Sequence, residues 1–129
     1  MTDPLPPTLT RRTTFAALAA CAAAPAVAQT AMPETGYLIV AQWETKDGQA
    51  DVVADILRRY LPLARKGEGV KQFAIGRAKD NPAQFLFYEL FVDEAAYKAH
   101  QASEYFQSLI AGQALALLSK RERTQFVPL

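Results

Sequence analysis

Segments with a two-residue apolar period alternate with segments of helical period along residues 37–127, and their order constrains the fold more than any other feature. Tyr37 to Glu44 reads as a first strand, with Tyr37, Ile39, Ala41 and Trp43 on one face and Leu38, Val40 and Gln42 on the other. Both faces are largely apolar, so both should meet packing partners. Lys46-Asp47-Gly48 breaks the run, and Asp47 is placed to cap a helix carrying the stripe Val53, Leu57, Tyr60 and Ala64. Pro62 predicts a kink or a broken last turn, and Gly67 and Gly69 predict termination.

Val70 to Lys79 and Gln84 to Val92 then read as two strands reversed by Asp80-Asn81-Pro82-Ala83. In the second of them Phe85, Phe87, Glu89 and Phe91 share one face, while Leu86, Tyr88 and Leu90 share the other. A carboxylate among such neighbours needs water or a donor, because burying it alone is costly. Asp93 predicts the start of a helix with Ala96, Tyr97 and His100 on one side. Ser103 predicts the cap of a further helical piece with Phe106, Leu109, Ile110, Gln113 and Leu117 inward, and Arg121 to Val127 reads as the closing strand. The order strand, helix, strand, strand, helix, strand predicts an α+β ferredoxin-like βαββαβ sandwich. Its helix-free face would meet a second copy, which predicts a homodimer and a dimeric α/β-barrel assembly.

The first 28 residues read as a separate unit. Arg11-Arg12 precedes an apolar run from Phe15 to Ala24 and then Ala26-Val27-Ala28, the three parts of an export signal. Cleavage after Ala28 would leave residues 29–35 as a short arm and 36–128 as the domain, in the periplasm. Thr10-Arg11-Arg12 also resembles a twin-arginine signal. Leu18-Ala19-Ala20-Cys21 resembles a lipoprotein box, so a chain anchored by lipid on Cys21 is the alternative. The apolar run is too short for a transmembrane span.

Charge excludes further classes. The chain of 129 residues has 14 Lys and Arg against 13 Asp and Glu. Without Arg11, Arg12 and Asp3, residues 29–129 are formally neutral. No basic field points to nucleic acid. One His and one Cys exclude histidine-rich and multi-cysteine metal sites.

Asn81-Pro82, Phe85, Tyr88-Glu89, Asp93, Ala96, His100, Ser103 and Phe106 together resemble the central signature of antibiotic biosynthesis monooxygenase domains, over roughly Gly36 to Pro128. The resemblance implies small dimeric α+β proteins that include quinol monooxygenases, acting with molecular oxygen and without metal or flavin. Phe87 and Phe91 stand where haem-degrading relatives carry polar and indole groups. The function expected is cofactor-independent oxidation of a quinol or electron-rich polyphenol, with non-oxidative binding of a small aromatic ligand as the alternative. His100 is the expected catalytic residue, since imidazole exchanges a proton near neutral pH. Glu89 is expected to organise the pocket, by accepting from His100 or Tyr97 or by anchoring the loop into the second helical region, with a direct proton role as the alternative. Trp43, Phe91, Tyr97 and Tyr105 are expected as planar walls for a flat substrate.

Overall fold

The structure, a computed structural model, describes Pro4 and residues 35–129. The expected export signal, cleavage after Ala28, the Cys21 anchor and most of the arm lie outside these residues. Strand β1 (Tyr37–Thr45) leads into helix α1 (Ala50–Arg65), followed by β2 (Val70–Arg77), β3 (Gln84–Phe91) and helix α2 (Glu94–Ala102). A π-helix (Phe106–Ala114) and a 3-10 turn (Leu115–Leu117) then deliver the chain to β4 (Leu118–Phe126). The strands form one antiparallel sheet of order β2-β3-β1-β4.

This is the ferredoxin-like arrangement, and it overturns the barrel. β2 and β4 end the sheet on opposite sides of the central pair, so the sheet stays open. Four strands in this order leave two free edges, and closure would need those edges to pair.

Local chemistry explains the element boundaries. Asp93 caps α2, its carboxylate accepting from the Ala96 N–H at 2.8 Å. The β2–β3 reversal is held by Asn81, whose side chain accepts from the Ala83 N–H at 3.2 Å. Asp47 caps nothing: Gly48 at φ +76° turns the chain, and α1 begins after Gln49, which makes no side-chain cap bond. α1 runs through Pro62 to Arg65, and the Lys66 N–H closes its end on the Leu63 carbonyl at 3.2 Å. Ser103 ends α2 and joins it to the next segment, donating to the His100 carbonyl (2.6 Å) and accepting from the Phe106 N–H (3.3 Å).

That next segment is wound as a π-helix where an α-helix was expected. In this winding the Gln107 carbonyl, five residues back, comes so near Gly112 that a Cβ there would lie 3.0 Å from it. Gly69, at φ +76°, serves another purpose. A Cβ on it would lie 2.6 Å from the Ala96 side chain, so only glycine lets the loop before β2 seat the first turn of α2.

The core lies between the sheet and the helices. Ile39 and Phe87 from the sheet, with Val53, Tyr60 and Ile110 from the helical layer, are essentially inaccessible. On the other face Leu38 pairs with Leu90, both buried, while Leu86 and Phe126 are each 46% exposed.

Candidate functional site

β3 alternates regularly, so Phe85, Phe87, Glu89 and Phe91 all point toward the helices. Glu89 lies between Phe73 of β2 and Ile39 of β1 in the sheet register. One step along, Ala41 lies between Phe87 and Arg123; a further step along, Trp43 lies between Phe85 and Arg121. The same parity brings one carboxylate and two guanidiniums to one face of the sheet, the carboxylate buried under the helices and both arginines exposed on β4.

Between these layers is a cavity with two unlike walls. The sheet wall comprises Trp43, Phe87, Glu89, Arg121 and Arg123, with Ala41. The helix wall comprises Tyr60, Tyr97, His100, Gln101, Phe106 and Ile110. The space between them is about 30 Å³ and partly open to solvent, enough for water and too small for an aromatic ring. A flat ligand enters only when side chains at the mouth move aside.

His100 on α2 is 4% exposed, and both its nitrogens are engaged. The Tyr60 hydroxyl lies 2.5 Å from Nε2 and the Tyr105 hydroxyl 3.3 Å from Nδ1. A neutral imidazole offers one donor and one acceptor, and two hydroxyls complement it in either tautomer. Rings of Phe73, Phe91 and Phe106 surround it with centroids 5.3 to 5.6 Å away. Burial lowers its pKa to about 4, so it is uncharged at neutral pH. The Tyr60 hydroxyl is raised above the ordinary phenol range, first by burial and then by Glu89.

Glu89 is 8% exposed and behaves in the opposite sense. Burial raises its pKa to about 7, against Arg123 and Arg121, which pull it down. The expected hydrogen bonds from His100 or Tyr97 do not form. Among the described residues its carboxyl has no hydrogen bond and no ion pair within 4.0 Å. The Tyr97 hydroxyl instead accepts from Gln101 Nε2 at 2.9 Å and from Arg123, whose guanidinium also lies 5.3 Å above the Tyr97 ring. Burial also raises the Tyr97 hydroxyl, with Arg123 opposing.

Of the residues singled out by sequence, His100, Glu89, Tyr97 and Trp43 line the cavity. Phe91 and Tyr105 stand behind His100 and support it. Tyr60 was legible only as one position of a core stripe, and Arg121 and Arg123 only as parts of a closing strand. Their equal parity on that strand is the signal that could have found them. Among the described residues no group of three His, Cys, Asp or Glu side chains is placed to hold a metal, and no helix is long and apolar enough to cross a membrane.

The described residues thus form a small α+β domain: an open ferredoxin-like sheet with an aromatic cavity between sheet and helices, and one buried carboxyl facing it. Residues 36–112 match the family described as antibiotic biosynthesis monooxygenase, and the chain belongs to that family. Among solved structures, PA3566 from Pseudomonas aeruginosa is 23% identical, covering 77% of this chain and 99% of that one with a TM-score of 0.70. SO0527 from Shewanella oneidensis is 22% identical, covering 72% and 90% with a TM-score of 0.66. Rv0793 from Mycobacterium tuberculosis is 16% identical, covering 74% and 96% with a TM-score of 0.67. These likenesses concern the fold. No curated protein matches the chain.

Proposed function

We propose that the chain is a cofactor-independent monooxygenase of a quinol or electron-rich polyphenol, with Glu89 as the group that takes the phenolic proton. The observation that carries this reading is the Glu89 carboxyl: buried, without a hydrogen-bond partner among the described residues, facing the cavity and titrating at about 7. Loss of the phenolic proton makes the ring electron-rich enough to pass an electron to oxygen, and the resulting pair joins at a ring carbon. A hydroquinone and O2 then give a hydroxyquinone and water. One oxygen atom enters the ring, the other leaves as water, and the substrate supplies all four electrons. Glu89 returns its proton to the departing oxygen. His100, held neutral between two tyrosines, positions the helix wall in this scheme.

The test is oxygen uptake by chelator-treated protein over a panel of hydroquinones, with isotopic oxygen gas. One labelled oxygen atom in the product is expected. Tight binding without oxygen consumption would overturn the reading in favour of a non-oxidative aromatic-binding domain. Export to the periplasm belongs to the same proposal, because Arg11-Arg12 and Ala26-Val27-Ala28 have the layout of a signal. Mass analysis of cell-derived protein should find Gln29 as the first residue; a start at lipidated Cys21 or an uncleaved chain would overturn that part. Self-association over the helix-free face is proposed from the exposed Leu86 and Phe126, and sedimentation showing only monomer at all concentrations would remove it.

A further inference from the structure

The cavity mouth carries two exposed arginines, Arg121 and Arg123, that form no ion pair within 4.0 Å among the described residues. Elsewhere the arginines at hollows are matched. In the groove between α1 and β2, Arg58 pairs with Asp55 at 2.8 Å, and Arg77 pairs with Asp51 at 2.9 Å while donating to the Pro82 carbonyl. At the cavity, Arg123 donates only to the neutral Tyr97 hydroxyl, and Arg121 makes no hydrogen bond or ion pair among the described residues. The one carboxyl nearby, Glu89, is about half protonated at neutral pH.

We propose that Arg121 and Arg123 bind a carboxylate carried on the aromatic ring of the substrate, which makes the substrate class a phenolic acid with its hydroxyl toward Glu89. The assignment of the hydroxyl end rests on the oxygenase reading; the anion site rests on the arginines alone. The register supports the fit. Glu89 and Arg123 lie on strands separated by β1 and two residues apart along it. Strand spacing and rise place their Cα atoms about 12 Å apart. Both side chains line the same cavity, and no ion pair joins them among the described residues.

The same anion would open the cavity. Arg123 stands at the mouth, held on the Tyr97 hydroxyl and over that ring. A guanidinium–carboxylate bond is roughly twice as strong as one to a neutral acceptor. Arg123 therefore gains by exchanging Tyr97 for a substrate carboxylate, and the exchange clears space that about 30 Å³ does not provide. A neutral quinol offers no such exchange and meets the full cost of opening.

The experiment compares 2,5-dihydroxybenzoate with its neutral amide. Binding is measured by calorimetry without oxygen, and turnover by oxygen uptake. The acid should bind at least tenfold more tightly than the amide, a preference weakened by added salt. In Arg121→Gln and Arg123→Gln the preference should fall to about twofold or less, with Arg123→Lys retaining more of it. Equal binding of acid and amide by the native protein, or an undiminished preference in both Gln variants, would overturn the proposal. So would binding of neither. Oxygen consumption with the amide alone would overturn this inference while keeping the oxygenase reading. Selective binding of the acid without any oxygen consumption would keep the anion site and remove the oxygenase.

Discussion

Glu89 and His100 line one cavity from opposite layers, and both are almost fully buried. On the helix wall, the imidazole found two hydroxyl partners, and burial drove it to its neutral form. On the sheet wall, the carboxyl found none among the described residues and stayed near the midpoint of its titration at neutral pH. A buried polar group whose hydrogen bonds are complete is part of the scaffold, because disturbing it leaves costly orphans. One left open toward a cavity is available for chemistry. On this contrast rests the proposal that Glu89, rather than His100, takes the proton.

The largest effect should come from breaking the sheet wall. Glu89→Gln keeps the shape and removes the base, so oxygenation of a competent phenol should fall at least a hundredfold, about 2.7 kcal/mol in transition-state stabilisation. Its thermal unfolding near pH 7 should lie at or above native, because the buried group no longer has to ionise. A Gln variant with more than a tenth of native turnover would return the proton role to another group.

Breaking the helix wall should cost stability before chemistry. Tyr60→Phe strips His100 Nε2 of its partner inside a dry shell, at a cost of about 1–3 kcal/mol, while turnover at saturating substrate falls less than tenfold. Denaturant titration beside single-turnover rates separates the two. A hundredfold loss of rate in a protein of native stability would show that the tyrosine–imidazole pair carries the proton after all.

The smallest effect is a change of slope with pH. His100 titrates at about 4 when folded, against an ordinary 6.5, so it costs stability as pH falls through that window. Glu89 titrates at about 7 when folded, against 4.5, so it costs stability as pH rises from 4.5 to 7. Between 4.5 and 6.5 the two nearly cancel. Urea midpoints of Glu89→Gln should therefore decline as pH falls below 6.5, and those of His100→Gln should decline as pH rises toward 7. Parallel profiles in both variants would mean that burial is not what sets the two values.

The fold was legible because its signals are local. Alternation placed β1, β2 and β3 to within a residue or two, and Asp93 marked the start of α2 through a bond its own side chain makes. The barrel was not legible, since whether edge strands pair depends on contacts that no periodicity encodes. The π-helix escaped because its apolar spacing imitates an α-helix, and no residue type in it marks the wider winding. At the site, His100 stood out as the sole histidine, yet its meaning depends on Tyr60, which is 40 residues away in sequence. Arg121 and Arg123 look like ordinary solvated positions until β4 is laid against β1, when their parity turns them toward the cavity.

The π-helix also stores slack. Each of its turns holds one residue more than an α-helical turn, so the loss of a residue between Phe106 and Ala114 can be absorbed by rewinding. The same loss within β4 could not be absorbed. A slip of one residue there turns every side chain to the other face, exchanging Arg121 and Arg123 for Lys120 and Glu122. Changes in chain length thus have a harmless place to accumulate, immediately before the strand whose alignment the cavity depends on.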